Sequence, residues 1–317
     1  MSWPRVGLWA LWRRSRQAHQ RALAEDALKH VHASAWRHHA ANLQSLAGAL
    51  QLSSPAAIKL IGQIEAQGWL LCRDDGLSLT PEGERLAIEV VRAHRLWERY
   101  LADEARLPLG AVHAEAERRE HQRGAQTVQA LDAALGYPTT DPHGDPIPSA
   151  DGQLQPTATR PLTDWPVNTP ARITHLEDEP PVIFSQILAQ GLQPGLIVRV
   201  IEANAQRLIV SDGERLHALA PIVAANVYVI PDGAEARAGE TKTLNALRPG
   251  QRATVHALAE SLQGFTRRRL LDLGLTPGVA ITAELPSMFH DPVAYRVRGT
   301  LIALRREQAE QVLIELN

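Results

Sequence analysis

Cysteine is nearly missing: Cys72 is the only one in 317 residues. A single thiol excludes a disulfide within the chain, fits a reducing compartment, and excludes a zinc ribbon, which needs CxxC pairs. Excess charge is missing too. At a net charge of −2 the whole molecule is no electrostatic glove for nucleic acid, so any DNA contact has to come from a local patch. Long apolar runs are also scarce. The start, MSWPRVGLWALWRRSR, has an apolar part of about ten residues, half of what spans a bilayer, and no cleavage signal follows it. No His-Glu-x-x-His, P-loop, nucleophile elbow or Gly-rich dinucleotide turn is present, and the expectation is a protein that is not an enzyme.

What is there reads as two or three soluble domains: 44% hydrophobic and 21% charged residues are ordinary for globular chains. Histidine, at 13, is the informative excess. His30, His32, His38 and His39 read as a solvated helix end. The stretch HRLWERYLADEARLPLGAVHAEAERREH, residues 94–121, is different. As two helices joined at Pro108-Leu109-Gly110, it sets His94 and Glu98 one turn apart. It also sets His113, Glu117, Glu120 and His121 within about 100° of arc on one face. A divalent cation needs such converging imidazole and carboxylate donors. The bland alternative is a charged face cross-linked by pairs such as Glu98 with Arg95 or Arg99, and Glu117 with Arg118.

Before this stretch, Leu23, Ala27, Leu28 and Val31 predict a first helix, and Leu43, Leu46, Ala47 and Leu50 a short second one. Ser53-Ser54-Pro55 starts a third, carrying Ile58, Ile61 and Ile64. Two short strands around Asp75-Gly76 follow, and Thr80 caps the next helix. That order is a winged helix. Its reading helix offers Ser53, Ser54, Lys59 and Gln63 as DNA-binding candidates, with Lys59 its lone basic residue, and Arg13, Arg14, Arg16, Arg21, Arg37 and Arg73 could add backbone contacts.

After Leu135, the Pro-, Gly- and Asp-rich GYPTTDPHGDPIPSADGQLQPTATRP reads as a linker. Beyond Pro161 an internal repeat appears: QGLQPGLIVRVIEA from Gln190 and LGLTPGVAITAELP from Leu273. Each follows a short helical stretch, and each puts Pro-Gly at a tight turn before an alternating strand. Each unit of about 70 residues reads as a small bent β-barrel. PDGAEARAGET separates the two.

From Ala22 to Pro148 the chain resembles the DtxR/MntR-type metal-dependent repressors, through AEDALKHV, LTPEGERLA, HRLWERYL, VHAEAERREH and DPHGDPIP. Both C-terminal units resemble FeoA/SH3-like domains, the second closely through RRLLDLGLTPG and DPVAYRVRGTLIALRREQAEQV. The implied fold is α+β multidomain. It comprises a Trp/Arg-rich segment (1–20), a winged helix (21–90), a metal-binding and dimerisation domain (91–137) and a linker (138–160). Two SH3-like, FeoA-type barrels (161–232 and 241–317) complete it. The resemblance makes Asp26, His94, Glu117, Glu120 and His121 ligands of a principal metal site, and Glu98 and His113 ligands of an ancillary one. Lys29 stands where the manganese sensor has a carboxylate, and Glu179 and Gln186 lie near the stretch that completes an ancillary site, with Pro180-Pro181 breaking the match.

Imidazole and carboxylate donors without thiolate suit Fe2+ or Mn2+. Glu117 stands where iron-type members have Cys and manganese-type members Glu, while the FeoA-like units point to iron, so the two metals stay together. The resemblance implies a cytoplasmic homodimer that grips double-stranded operator DNA when Asp26 and the later donors share a cation. It would repress genes of metal uptake. A second reading stays open: a membrane-proximal partner of a ferrous iron transporter, touching it through the FeoA-like units and the membrane through its Trp/Arg-rich start.

Overall fold

The computed structural model describes residues 8–37, 39–73, 76–121, 125–154, 158–232, 242–259, 262, 264–286 and 291–316. They fall into two compact units, one made of Met1–His94, Glu117–Ala125 and Pro148–Leu154, the other of Arg95–Ala116, Gln126–Ile147 and Gln155–Asn317.

The first unit opens with α1 (Leu8–Trp36), so from Leu8 the Trp/Arg-rich start is part of the first long helix. Trp3 and the side chains of Trp9, Trp12 and Arg14 lie outside the described residues. The described side chains from Arg13 to Arg21 are exposed; burial starts where the apolar spacing does, at Ala27, Leu28 and Val31. Asn42 and Ser45 cap α2 (Leu43–Ala49) reciprocally, the Ser45 amide donating to Asn42 Oδ1 at 2.9 Å and the Asn42 amide to Ser45 Oγ at 3.0 Å. Pro55 stands in the first turn of α3 (Ser54–Ala66), where its missing N–H costs nothing. Strands β1 (Leu70–Arg73) and β2 (Gly76–Leu79) pair antiparallel, Leu70 opposite Leu79. Asp75 of the expected turn lies outside the described residues. Leu28, Leu46, Leu60, Ile61, Ile64 and Leu70 form the core of this unit, each worth about 1.5–3 kcal/mol of burial.

Thr80 Oγ1 accepts from the Gly83 amide at 3.1 Å and starts α4 (Pro81–Asp103). Only glycine fits at 83, because a Cβ there would sit 1.9 Å from the Trp69 carbonyl oxygen. In the second unit the residues of α4 from Arg95 onward join α5 (Leu109–Glu120) and α6 (Ala125–Leu135). Leu109 and Gly110, expected in the turn, are already helical. Leu96, Leu135 and Ile147 make one small core, and Leu101, Val112 and Ala116 another.

The stretch read as a linker is irregular but largely packed: Asp141, His143 and Ile147 are buried. Asp141 Oδ1 accepts from the amides of His143, Gly144 and Asp145 at 2.8–2.9 Å. Arg95 donates to the Pro146 carbonyl at 2.5 Å and to Asp145 at 3.2 Å. Gly144 has φ +98, and a Cβ there would meet the Thr174 carbonyl oxygen at 1.8 Å. This turn is pressed against the first barrel.

That barrel runs β3 (Arg160–Pro161), β4 (Pro170–Leu176), α7 (Pro181–Ala189), β5 (Ile197–Ala203), β6 (Leu208–Ser211), β7 (Leu216–Leu219), α8 (Pro221–Ala224) and β8 (Val227–Pro231). The second runs β9 (Lys242–Thr243), β10 (Arg252–Leu258), α9 (Gly264–Asp272), β11 (Ala280–Pro286), β12 (Val293–Val297), β13 (Thr300–Leu304), α10 (Arg306–Ala309) and β14 (Val312–Leu316). Their sheets have the same antiparallel order, β3-β8-β4-β5-β6-β7 and β9-β14-β10-β11-β12-β13. The repeated Pro-Gly turns make the same bond: the Gly195 amide donates to the Ile173 carbonyl at 2.7 Å and the Gly278 amide to the Val255 carbonyl at 2.8 Å. The separating residues 233–241 lie outside the described ones.

Candidate metal centres

In the first unit, α1 supplies Glu25, Asp26 and Lys29, α4 supplies His94, and Glu120 and His121 come from the end of α5 and the residue just past it. His121 Nε2 lies 3.0 Å from Asp26 Oδ1 and 3.4 Å from Glu120 Oε1, and its Nδ1 lies 2.7 Å from Glu25 Oε2. His94 Nδ1 hydrogen-bonds Glu120 Oε2, and Lys29 Nζ sits 3.0 Å from both Glu120 oxygens. Asp26, Glu120 and His121 offer three donor atoms within 4.8 Å of one another. Burial works against charge on His121, but its bonds to Asp26 and Glu25 outweigh it and push its pKa up to about 9. Burial likewise opposes the Glu120 carboxylate, yet His94 and Lys29 hold it below the usual range. Glu117 is exposed, and its charge acts on Lys29.

A second cluster lies within the other unit. His113 Nδ1 sits 3.1 Å from Glu98 Oε1 and 2.7 Å from Asp178 Oδ2, with Glu179 farther, at 4.0 Å from Nε2. His143 is fully buried, and neither ring nitrogen has a hydrogen-bond partner. Glu98 Oε2 at 3.7 Å and Asp178 Oδ2 at 3.8 Å from Nδ1 are too far for hydrogen bonds. Glu98, Asp141 and His143, all buried, form a donor triad within 4.8 Å. Burial disfavours the His143 cation, but Glu98, Asp141 and Asp178 push its pKa up to about 9. Asp141 is raised well above the carboxylate range by burial, then by Asp145 and Glu98.

Of the face read from the sequence, Glu120 and His121 stand with Asp26 in the first unit, and His113 stands with Glu98 in the second. Sequence reasoning missed Glu25, Asp141, His143 and Asp178. The Asp-x-His of DPHG was a usable signal, hidden by the linker-like composition around it. The acidic run Glu177-Asp178-Glu179 was a weaker one. On α3, the candidates Ser53, Ser54, Lys59 and Gln63 are all exposed beside Ile58, which is 57% exposed. Arg13, Arg16, Arg21, Arg37 and Arg73 are exposed as well.

Residues 80–149 match the family of iron dependent repressor metal binding and dimerisation domains, and residues 242–316 match the FeoA domain. The iron-dependent repressor IdeR of Mycobacterium leprae is 32% identical over 179 residues, which cover 52% of this chain and 77% of that protein. The chain belongs to the iron-dependent repressor family. The Mycobacterium tuberculosis IdeR is 42% identical over 104 residues; there the match covers 32% of this chain and 45% of the relative's length. A solved manganese-dependent transcriptional repressor in complex with manganese superposes with a TM-score of 0.58 at 28% identity, covering 66% of this chain and 99% of that one.

Both clusters fit a divalent cation. Each offers imidazole and carboxylate donors without thiolate; Cys72 is exposed in β1, apart from either triad. An ion in place would satisfy one of the two unpartnered nitrogens of His143, and a buried imidazole seldom stays unbonded. No described helix is long and apolar enough to cross a membrane.

Proposed function

We propose that this member of the iron-dependent repressor family is an Fe2+- or Mn2+-dependent repressor that binds operator DNA as a homodimer in the cytoplasm. Its targets would be genes of metal uptake. The observation that carries this reading is the convergence of Asp26 on His121 at 3.0 Å, across 95 residues of sequence. Asp26 precedes the α2–α3 pair that would read DNA, and His121 follows it. Asp26, His94, Glu117, Glu120 and His121 would hold the principal ion, and Glu98, His113, Asp141, His143 and Asp178 the ancillary one. A bound ion supplies two positive charges at fixed coordination distances. Asp26 and Glu120, which meet through His121 without it, would then be held directly by the ion, fixing α1 against the end of α5. A coupling of about 1–3 kcal/mol between metal and DNA follows if that arrangement is the DNA-competent one. Ser53, Ser54, Lys59 and Gln63 would face the major groove, with two half-sites set by dimer symmetry.

Fluorescence anisotropy on the protein's own upstream DNA, with Mn2+, Fe2+ or chelator, tests the reading. Metal should tighten binding at least tenfold, and Glu120→Ala or His121→Ala should abolish that gain with the fold intact by circular dichroism. Metal-independent affinity in the unaltered protein would refute it. The FeoA match at 242–316 favours one further role, contact of the second barrel with a ferrous iron transporter, for which co-purification from membranes with and without residues 242–317 is the test.

A further inference from the structure

We propose that Lys29 makes the Asp26–Glu120–His121 centre a one-ion centre, its ammonium holding the position that a second divalent cation would take. The inference rests on the metal-dependent reading above. Lys29 Nζ lies 3.0 Å from both oxygens of Glu120 and 3.3 Å from His94 Nδ1. Glu120 is thus shared between two positions. On one side its Oε1 faces His121, which in turn touches Asp26. On the other side Glu120 and His94 converge on a cation already bonded to the chain.

Charge and distance both argue that this position is taken. Glu25 is matched by Arg21 at 2.6 Å, leaving Asp26, Glu117 and Glu120 as the carboxylates of the centre. Against their three negative charges Lys29 sets one positive, and one divalent ion neutralises the remainder. A second ion would leave two uncompensated positive charges in a partly buried site, which is costly. Two ions sharing a carboxylate sit about 3.5–4 Å apart with metal–oxygen bonds near 2 Å. An ammonium 3.0 Å from both Glu120 oxygens fills the place between them that a second ion would take, while Oε1 keeps a lone pair toward His121 for the first. Displacing it means moving a side chain only 21% exposed away from Glu120, and its tether keeps it at high effective concentration.

The test is Mn2+ loading of the full chain, read by metal counting and electron paramagnetic resonance. Isolated Mn2+ gives a six-line spectrum, while two ions bridged by a carboxylate give an exchange-coupled one. The unaltered protein should show no coupled signal. Lys29→Glu, which brings a fourth carboxylate and so the charge for two dications, should gain one Mn2+ per chain and a coupled spectrum. Ions at the Glu98 cluster cancel in that difference. Lys29→Met, which vacates the position without adding charge and guards against misfolding of the glutamate variant, should take the extra ion at higher Mn2+ concentration with the same coupled signal. A coupled pair in the unaltered protein would overturn the proposal, as would an unchanged count and an isolated-ion spectrum in both variants. If Asp26→Ala/His121→Ala binds as much Mn2+ as the unaltered chain, the metal-centre reading itself has failed. That outcome is separate from any shown by the Lys29 variants alone.

Discussion

The two barrels share one topology and one set of turn bonds, yet they give the neighbouring helices different things. Residues 161–232 carry four Lys and Arg against eight Asp and Glu, and residues 242–317 carry ten against seven. Part of the acid of the first faces the donors: Asp178 touches His113, and Glu177 faces His175, which lies beside Asp145. The helices α7 and α9 are nine residues each, and their fourth positions show the divergence. Phe184 packs its ring edge-on against His143 at 5.2 Å between centroids. Arg267 is equally buried, and its Nε donates to the Leu135 carbonyl at 3.0 Å. One scaffold therefore walls a donor cluster, and its copy fastens helix ends, Arg267 at Leu135 and Arg268 at Glu104. What a repeat keeps is backbone; what it does is set by a few side chains on the face it presents.

Breaking the comparison at its strongest point means Phe184→Ala. The loss should be about 3–5 kcal/mol of stability, because the ring fills the first barrel's core as well as flanking His143. Denaturant unfolding would show it, and metal affinity at the Glu98 cluster should fall with it. Arg267→Ala should cost less, about 1.5–3 kcal/mol for charged hydrogen bonds lost to the carbonyls of Leu135, Ala259 and Leu262. It should leave metal affinity at both clusters unchanged. Equal metal loss in the two variants would end the distinction. Asp178→Asn isolates the donor from the wall. It should weaken metal binding at that cluster about 10–100-fold through the carboxylate lost beside His113 and lower the melting temperature of the metal-free protein far less than Phe184→Ala does.

The elements were legible in the sequence, and so were the repeat and most of the donors, because each rests on local signals. Leu43 to Leu50, the Ser53-Ser54-Pro55 start and the Thr80 cap announce helices whose ends the structure then shows. The sharing of donors between two clusters was legible only through the family resemblance, not from helical spacing. His113 and Glu117 are one turn apart on α5, and nothing in helical spacing says that one faces Glu98 while the other acts on Lys29. Asp141 and His143 were hidden for a related reason. Their turn has linker composition and is buried only because Arg95, Gly144 and the Leu176 amide, which donates to the His143 carbonyl at 2.8 Å, hold it against β4. Long-range contacts of that kind leave no periodic trace. Lys29 was visible as a residue, but its bond to Glu120 spans 91 positions.

The smallest effect concerns protons, and it sharpens the contrast because, among the described residues, it is the first barrel that borders a titrating imidazole of this kind. His121 and His143 both have pKa values raised from 6.5 to about 9, so both are protonated at neutral pH in the metal-free chain. In the absence of metal each contributes stability that is complete below pH 6.5, the unfolded value, and lost as pH rises through about 9. Metal binding has the opposite slope, because an imidazole must give up its proton to ligate. Affinity should therefore rise about tenfold per pH unit for each proton released, up to about pH 9. Calorimetry at pH 7 in buffers of different ionisation enthalpy should count the release directly. Saturating the unaltered chain should release at least two protons, one from each of these imidazoles, and His143→Gln about one fewer. An unchanged release in that variant would mean His143 keeps its proton, and the first barrel would then be no more a metal wall than the second.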